Sequence, residues 1–445
     1  MPYIPTVAII GQPNVGKSTL FNRIVGKQIA ITDDMPGVTR DRNYALSEWT
    51  GHPFMLVDTG GLVPDPEGAI ELAIKEQALI AFEEADVIIF LVDGRAPINR
   101  EVEDISHLFH KTEKPFLLVA NKMDGEKHEY DMYEYVKLGF GEPFPISAAH
   151  GRNVGDLLDE VVARFPAQHT TATDIADNSI KLAVVGRPNV GKSSIVNAIL
   201  GYDKTIVTPV AGTTRDSIDS KFKRNGQEFT IIDTAGMRKK SRVLQASGVE
   251  YFSNVRTIKS IHQSDVVLCL LNAEEGVVQQ DHKILSYVRE NYKNLILVVN
   301  KWDLVEKDHR SMNIFRKNIR EKLNFVDYAP IIFTSARTKR RVFNVIDKAV
   351  EVYQESQRRI PTAELNKVVE QAIAYQPPPS VGRRFCKFYY TTQVRVAPPT
   401  FVFFVSRPDL IQESYKRYLY NQLRRAFRFE GVPLKLIFRG KTPPK

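Results

Sequence analysis

Cysteine is nearly missing. Cys269 and Cys386 are the only two in 445 residues, too few for a disulfide framework, and Cys269 reads as a small core hydrophobe. No apolar run approaches the roughly 18 residues that a membrane span needs. The start of the chain enters an apolar strand without a charged and apolar leader, so a soluble, cytoplasmic protein is expected. The nine histidines are scattered, and none joins a His/Cys/Asp cluster with metal-ligand spacing. Acidic excess is absent as well: Lys and Arg number 61 against 52 Asp and Glu. The surplus is local, because residues from Ser356 onward carry 17 basic and 5 acidic side chains while residues 1–355 carry 44 and 47. A basic end behind a near-neutral body points to a polyanionic partner, most simply nucleic acid. The length is too great for one core and suggests about three domains.

Glycine is concentrated where it matters. Gly11-Gln-Pro-Asn14-Val15-Gly16-Lys17-Ser18-Thr19 returns as Gly186-Arg-Pro-Asn189-Val190-Gly191-Lys192-Ser193-Ser194, 175 residues later. Both match G-x-x-x-x-G-K-[ST], a loop whose backbone N–H groups wrap phosphates, whose lysine reaches the outer ones and whose hydroxyl ligates Mg²⁺. Each follows an apolar run, Val7–Ile10 or Leu182–Val185, and precedes a helical pattern expected to end at glycine, Gly26 or Gly201. That strand–loop–helix context is what the motif requires, because the helix N-terminus adds partial positive charge to the anion site.

Further pairs keep the 175-residue offset: Thr39 with Thr214, Asp58 with Asp233, and Gly61 with Gly236. Asn121-Lys122-Met-Asp124 and Asn300-Lys301-Trp-Asp303 stand 179 apart, and Ser147-Ala148 and Ser335-Ala336 stand 188 apart. Lys17 and Lys192 supply point charges to a triphosphate, and Ser18 and Ser193 supply a hard oxygen to Mg²⁺. Asp58 and Asp233 close apolar strands and place a carboxylate beside the metal, through a water. Thr39 and Thr214 lie in loops able to close over Mg²⁺ and the terminal phosphate, and Gly61 and Gly236 offer it a backbone N–H. The carboxylates of Asp124 and Asp303 accept only, so they pair with guanine N1 and N2 donors and repel an adenine edge. The stems of Lys122 and Lys301 lie along the base plane, and amides near Ala148 and Ala336 donate to O6.

Alternation of strand and helix patterns divides the chain into residues 1–166, a polar linker 167–179, residues 180–355, and a basic module 356–445. Runs at Val87–Val92, Phe116–Ala120, Val266–Leu271 and Leu295–Val299 are apolar without alternation, which indicates parallel strands covered on both faces. The module reads α-β-β-α-β. In its last helix, about residues 410 to 429, Ile411, Tyr415, Leu419, Leu423 and Ala426 share one face. Arg417, Arg424 and Arg428 line the other as an expected exposed stripe for RNA or the ribosome.

Two complete guanine-nucleotide motif sets followed by a small basic α/β module resemble the bacterial tandem GTPases of the Der or EngA family. The resemblance covers essentially the whole chain. It implies an α/β fold of two tandem P-loop GTPase domains, each a mostly parallel sheet with helices on both faces, plus a C-terminal KH-like domain. It further implies hydrolysis of GTP to GDP, binding to the large ribosomal subunit and its rRNA, and a role in late assembly of that subunit, with the protein expected as a monomer. The tail departs from generic KH domains in having no G-x-x-G loop; Gly382-Arg-Arg-Phe385 is the nearest stretch. Leu62 and Met237 stand where Ras-type GTPases carry a water-orienting glutamine. Asn14 and Asn189 match the asparagine with which similar GTPases ligate K⁺, so K⁺-assisted hydrolysis is expected, the alternative being an asparagine that only shapes the loop. A basic run, Met237–Arg242, follows Gly236 only, and a coupling role there stands beside an ordinary solvated loop. Two other functional readings stay open: an RNA-binding adapter in which one copy hydrolyses GTP and the other holds it structurally, and a GTPase partner in tRNA modification.

Overall fold

The computed structural model describes residues 4–28, 44–58, 85–110, 114–125, 132–166, 179–201, 206–209, 219–232, 249–305, 311–378 and 386–440. Thr39, Gly61, Thr214, Asp233 and Gly236 lie outside them, with Leu62, the run Met237–Arg242, residues 167–178 of the linker and Gly382–Phe385.

The first sheet contains β1 (Thr6–Ile10), β2 (Tyr44–Trp49), β3 (His52–Asp58), β4 (Val87–Asp93), β5 (Phe116–Asn121) and β6 (Phe144–Pro145). Their order is β2-β3-β1-β4-β5-β6, and only β2 runs antiparallel to its neighbour. The central strands are apolar in nearly continuous runs, as covering on both faces requires. Ile9, Ile89 and Val119 meet Leu20, Ile24, Val154 and Leu158 from the helices Lys17–Gln28 and Val154–Ala163 on one side. Ile10, Phe90 and Ala120 meet Val102, Ile105 and Phe109 from the helix Arg100–Phe109 on the other. The first phosphate-loop helix runs through Gly26 to Gln28, so the expected stop is corrected: one helical glycine costs only about 1 kcal/mol. The second helix, Lys192–Leu200, does end before Gly201.

The second sheet contains β7 (Ile180–Val185), β8 (Ile206–Pro209), β9 (Ser220–Arg224), β10 (Gln227–Ile231), β11 (Val266–Asn272), β12 (Asn294–Asn300) and β13 (Ile331–Phe333). Its order is β13-β12-β11-β7-β10-β9-β8, the last three strands antiparallel. Cys269 is fully buried in β11 and, like Cys386, is a free thiol.

In the basic module the helix Thr362–Tyr375 precedes β14 (Phe388–Arg395) and β15 (Thr400–Val405), and the helix Glu413–Phe427 precedes β16 (Lys435–Gly440). The order β14-β15-β16 pairs β15 antiparallel with β14 and parallel with β16. Tyr415, Leu419, Leu423 and Phe427 make the buried face of the last helix, whereas Ala426 is exposed. The arginine stripe is broken too. Arg417 and Arg428 are exposed, but the Arg424 guanidinium donates to the carbonyls of Arg428 at 3.2 Å and Phe429 at 3.1 Å. It also lies 4.8 Å from the ring centres of both Tyr328 and Tyr420.

Arg424 belongs to a seam between the basic module and the second sheet. One apolar cluster runs from Leu268 and Val298 through Val345, Ala349 and Val352 of the helix Val342–Ser356 to Phe401, Phe429, Val432 and Leu434. The turn at Gly431 (φ 76°) accepts a hydrogen bond from Leu295 N at 2.8 Å and donates to Tyr328 O at 2.8 Å. A Cβ there would meet Val352 Cγ2 at 2.4 Å. Gly431→Ala should therefore destabilise the chain by about 2 kcal/mol, through both the left-handed backbone and the overlap, measurable as a shifted denaturation midpoint.

Burial also creates a pH dependence. His262, in the helix Val249–Gln263, is hydrogen-bonded to the Tyr287 hydroxyl at 2.6 Å. Burial, aided by Lys293, pushes its imidazole down to about 4. The unfolded chain binds a proton below about pH 6.5 that the folded chain refuses until about pH 4. Stability should fall on acidification through this window by up to about 1.4 kcal/mol per unit and stay level above it. Urea unfolding at pH 7 and pH 5 checks this, and His262→Gln should flatten the difference.

Candidate functional site

Both phosphate loops leave the C-terminal ends of central strands, β1 and β7, where a parallel sheet leaves a crevice between diverging connections. A Cβ at Gly11 would lie 2.1 Å from Leu91 O. Gly16 (φ 98°) and Gly191 (φ 95°) turn the chain into their helices through the left-handed region. Asn14 (φ 63°) and Asn189 (φ 62°) occupy that region as well and are exposed; asparagine tolerates it better than most residues. Val15 and Val190 are buried beneath the loops, while Thr19 and Ser194 are exposed in the first helical turn.

The two lysines curl over their own loops. Lys17 Nζ donates to Gly11 O and Gln12 O, both at 2.7 Å. Lys192 Nζ donates to Gly186 O at 2.6 Å and Arg187 O at 2.8 Å. Burial lowers each amine to about 8, opposed at Lys17 by the negative charge of Asp58. The register that sets Ile9 beside Asp58 brings this carboxylate to the loop, and Ser18 Oγ donates to Asp58 Oδ2 at 2.7 Å. In the second copy Ser193 is half-buried at the corresponding place. Among the described residues no cluster of three or more His, Cys, Asp or Glu could hold a metal ion. One hydroxyl with one carboxylate suits a hard cation that also takes phosphate oxygens and water.

Strand pairing places the base-recognition motifs two strands further out, beyond β4 and β11. Asn121 ends β5 and Asn300 ends β12, and each is tied to the phosphate loop: Asn121 Nδ2 donates to Val15 O at 2.7 Å and Asn300 Nδ2 to Val190 O at 2.9 Å. Their Oδ1 atoms accept the amides of Ala148 at 2.9 Å and Ala336 at 3.1 Å. The Ala148 and Ala336 amides thereby secure the asparagines, so each Asn joins the phosphate loop to the Ser-Ala loop. Gly16 and Gly191 allow it, since a Cβ on either would stand 2.3 Å from the asparagine amide nitrogen. Met123 and Trp302 anchor the motifs from below as buried residues. Ser147 and Ser335 bridge Arg152 and Arg340 in matching turns.

The surroundings of the two base loops differ. Lys122 Nζ pairs with Asp93 Oδ2 at 2.7 Å. Asp124 accepts Ser147 Oγ at 2.6 Å and lies 3.1 Å from His150 Nδ1 and beside Arg95; the Ser147 hydrogen bond foremost holds its carboxyl low. In the second copy Asn272, not Asp, ends β11, and its Nδ2 donates to Glu275 Oε1 at 2.6 Å. Glu275 also pairs with Arg187, whose Nε stands 3.6 Å from the fully buried Asp281. Lys301 (φ 61°) repeats the left-handed backbone of Lys122 (φ 69°). Asp303 closes this motif with an interaction of its own. Asp93, Arg95, His150, Arg187 and Asp281 were not singled out from the sequence. The available signal was positional: Asp93 and Asn272 end apolar strands, as Asp58 does.

A family model described as 50S ribosome-binding GTPase matches residues 6–122 and again 181–301. A second, the KH-domain-like C-terminal domain of EngA bacterial GTPase enzymes, matches residues 359–439. A relative called GTPase Der from Geobacillus thermodenitrificans is 49% identical over 98% of this chain and 99% of its own length. Another from Moorella thermoacetica is 50% identical over 98% of each. The chain belongs to the Der (EngA) GTPase family. Among solved structures, an Era variant from Aquifex aeolicus bound to GDP and aluminium fluoride covers 60% of this chain and 94% of its own at 21% identity, with a TM-score of 0.30, too low to bear on function. The fold is accordingly two tandem P-loop GTPase domains with a KH-like C-terminal domain, and the protein is a GTP-binding GTPase. No described helix is long and apolar enough to cross a membrane.

Because a methyl at either phosphate loop displaces the tying asparagine, Gly16→Ala and Gly191→Ala should each weaken guanine-nucleotide binding at its own site by roughly 10-fold or more. Calorimetric titration with GDP checks this: each variant should keep one binding event at full affinity and lose it for the other.

Proposed function

We propose that this GTPase hydrolyses GTP to GDP at both sites and acts as a nucleotide-controlled factor in assembly of the large ribosomal subunit, with GTP favouring docking and hydrolysis causing release. The observation that carries the two-site reading is the repeated asparagine tie, which makes phosphate and base recognition one unit in each copy. Support for the ribosomal partner comes from the family description attached to both GTPase segments and from the net positive charge, which is confined to the KH-like end.

In this reading Gly11, Val15, Gly16 and Thr19, with Gly186, Val190, Gly191 and Ser194, form the phosphate cradles. Lys17 and Lys192 leave their carbonyl partners for the outer phosphates. Ser18 with Asp58, and Ser193 with Asp233, would hold Mg²⁺, joined by Thr39 and Thr214; bound there, the ion neutralises phosphate charge. The 2.7 Å hydroxyl–carboxylate pair fits that role. Gly61 and Gly236 offer N–H groups to the terminal phosphate. Asp124 and Asp303 read the guanine edge, flanked by Lys122, Lys301 and the loops Ser147-Ala148 and Ser335-Ala336. The exposed amides of Asn14 and Asn189 would ligate K⁺, which supplies the charge that an arginine finger brings elsewhere.

The unlike surroundings of the two base loops favour one second reading, in which only one copy turns over. Lys17→Ala and Lys192→Ala decide it: each should lower GTP turnover, and a loss confined to one variant would establish the division of labour. Turnover in KCl should exceed that in NaCl at equal ionic strength, and equal rates would remove K⁺ from the site. Large subunits should co-sediment with the protein under a non-hydrolysable GTP analogue and not under GDP.

A further inference from the structure

One face of the three-stranded sheet of the KH-like domain carries exposed aromatic side chains. Register pairs Tyr390 with Phe404 and Phe404 with Arg439, so these side chains form one row across β14, β15 and β16. Successive strand residues point to opposite faces. The adjacent row Thr391, Phe403 and Phe438 therefore turns the other way, and Thr391, Phe401 and Phe403 are buried in the core with Leu365, Leu419 and Leu423. The outward row is open. Tyr390 is 51% exposed, its ring stacked on that of Phe404 at 4.4 Å and 17°, and Arg439 is exposed at the row's end. Next to it Tyr389 is exposed beneath Lys387 Nζ, 5.9 Å from its ring centre. Two rows away, Thr400 pairs with Lys435, whose Nζ stands 5.5 Å from the Tyr292 ring of the second GTPase domain. That end of the face is occupied, whereas Tyr389 and Tyr390 at the aromatic end are exposed among the described residues.

Holding a stacked Tyr–Phe pair in water leaves apolar area unburied and favours a flat partner. The domain around it carries 17 basic and 5 acidic residues, so the partner is anionic as well as flat. Unpaired nucleotides combine both properties: bases stack on aromatic rings irrespective of sequence, and phosphates pair with neighbouring cations. The absence of a G-x-x-G loop in the tail removes the usual backbone clamp of a KH domain from competition for the same strand. We propose that the row Tyr390–Phe404–Arg439 is a stacking platform for single-stranded RNA, with Arg439 and Lys387 receiving its phosphates. The inference rests on the ribosomal reading above and assigns to it residues that belong to neither set of GTP motifs.

The test uses the full chain and its variants Tyr390→Ala and Tyr390→Trp. Anisotropy titration with an unstructured fluorescent 12-nucleotide RNA should give a roughly 5- to 100-fold weaker affinity for Tyr390→Ala, with Tyr390→Trp at or above the parent. A duplex of the same length should bind all three alike, and GTP turnover and thermal midpoint should be unchanged, since Tyr390 lies outside both nucleotide sites. Equal single-strand affinity in the parent and Tyr390→Ala overturns the platform. Co-sedimentation with large subunits separates this from failure of the ribosomal reading. If the parent pellets and Tyr390→Ala behaves identically in both assays, the platform is wrong and the reading stands. If the parent does not pellet, the reading fails while the RNA titration still judges the platform. Weaker pelleting of Tyr390→Ala with unchanged RNA affinity would mean that the face docks on protein, which also overturns the proposal.

Discussion

Everything at each nucleotide site depends on one buried side-chain amide. Asn121 and Asn300 each donate to the carbonyl under a phosphate loop and accept an amide from the Ser-Ala loop. A buried amide satisfied on both sides contributes modestly to stability, but losing one partner leaves the other uncompensated at a cost of about 1–3 kcal/mol. Three loops from three different strand ends are thereby held in one geometry. The glycine before each lysine follows from the same constraint, because the space a Cβ would take is the space the amide nitrogen occupies. A motif usually read as two signals, phosphate and base, is mechanically one.

A second constraint acts on the C-terminal half. The KH-like domain does not hang from the second GTPase domain on a tether: the helix Val342–Ser356 contributes Val345, Ala349 and Val352 to a cluster that continues into Phe401, Phe429 and Leu434. Hydrogen bonds at Gly431 and the Arg424 guanidinium between Tyr328 and Tyr420 close the seam. Packed cores transmit displacement and do not absorb it. β12 and this helix therefore join the second GTPase domain to the basic module by continuous packing.

How much of this was legible in the sequence follows from the physics of each feature. The central strands were readable because burial on both faces demands unbroken apolar runs. The antiparallel strands β2, β8 and β9 were not, since sequences such as Ser220-Lys-Phe-Lys-Arg224 alternate too briefly to stand out from loop. Spacing identified the asparagines but not their work, because a hydrogen bond between residues 106 positions apart leaves no local pattern. The helical wheel placed Tyr415, Leu419 and Leu423 correctly and misjudged Ala426 and Arg424. Its error was to treat the helix as having one solvent face when a second domain covers part of it.

The duplicated motifs also conceal unlike electrostatics. Around the first base loop, Lys122 is neutralised by Asp93, and Asp124 faces Arg95 and His150. Around the second, neutral Asn272 replaces Asp93, and the nearby charges, Glu275 with Arg187 and buried Asp281, lie towards the phosphate loop. In the first copy the Asp124 carboxylate is engaged by Ser147, His150 and Arg95. In the second, ion pairs brace Arg187, the residue whose carbonyl holds Lys192. The two copies thus repeat the same motif residues in unlike charged surroundings, and affinity depends on both, because a bound ligand must displace whatever engages those residues before it arrives.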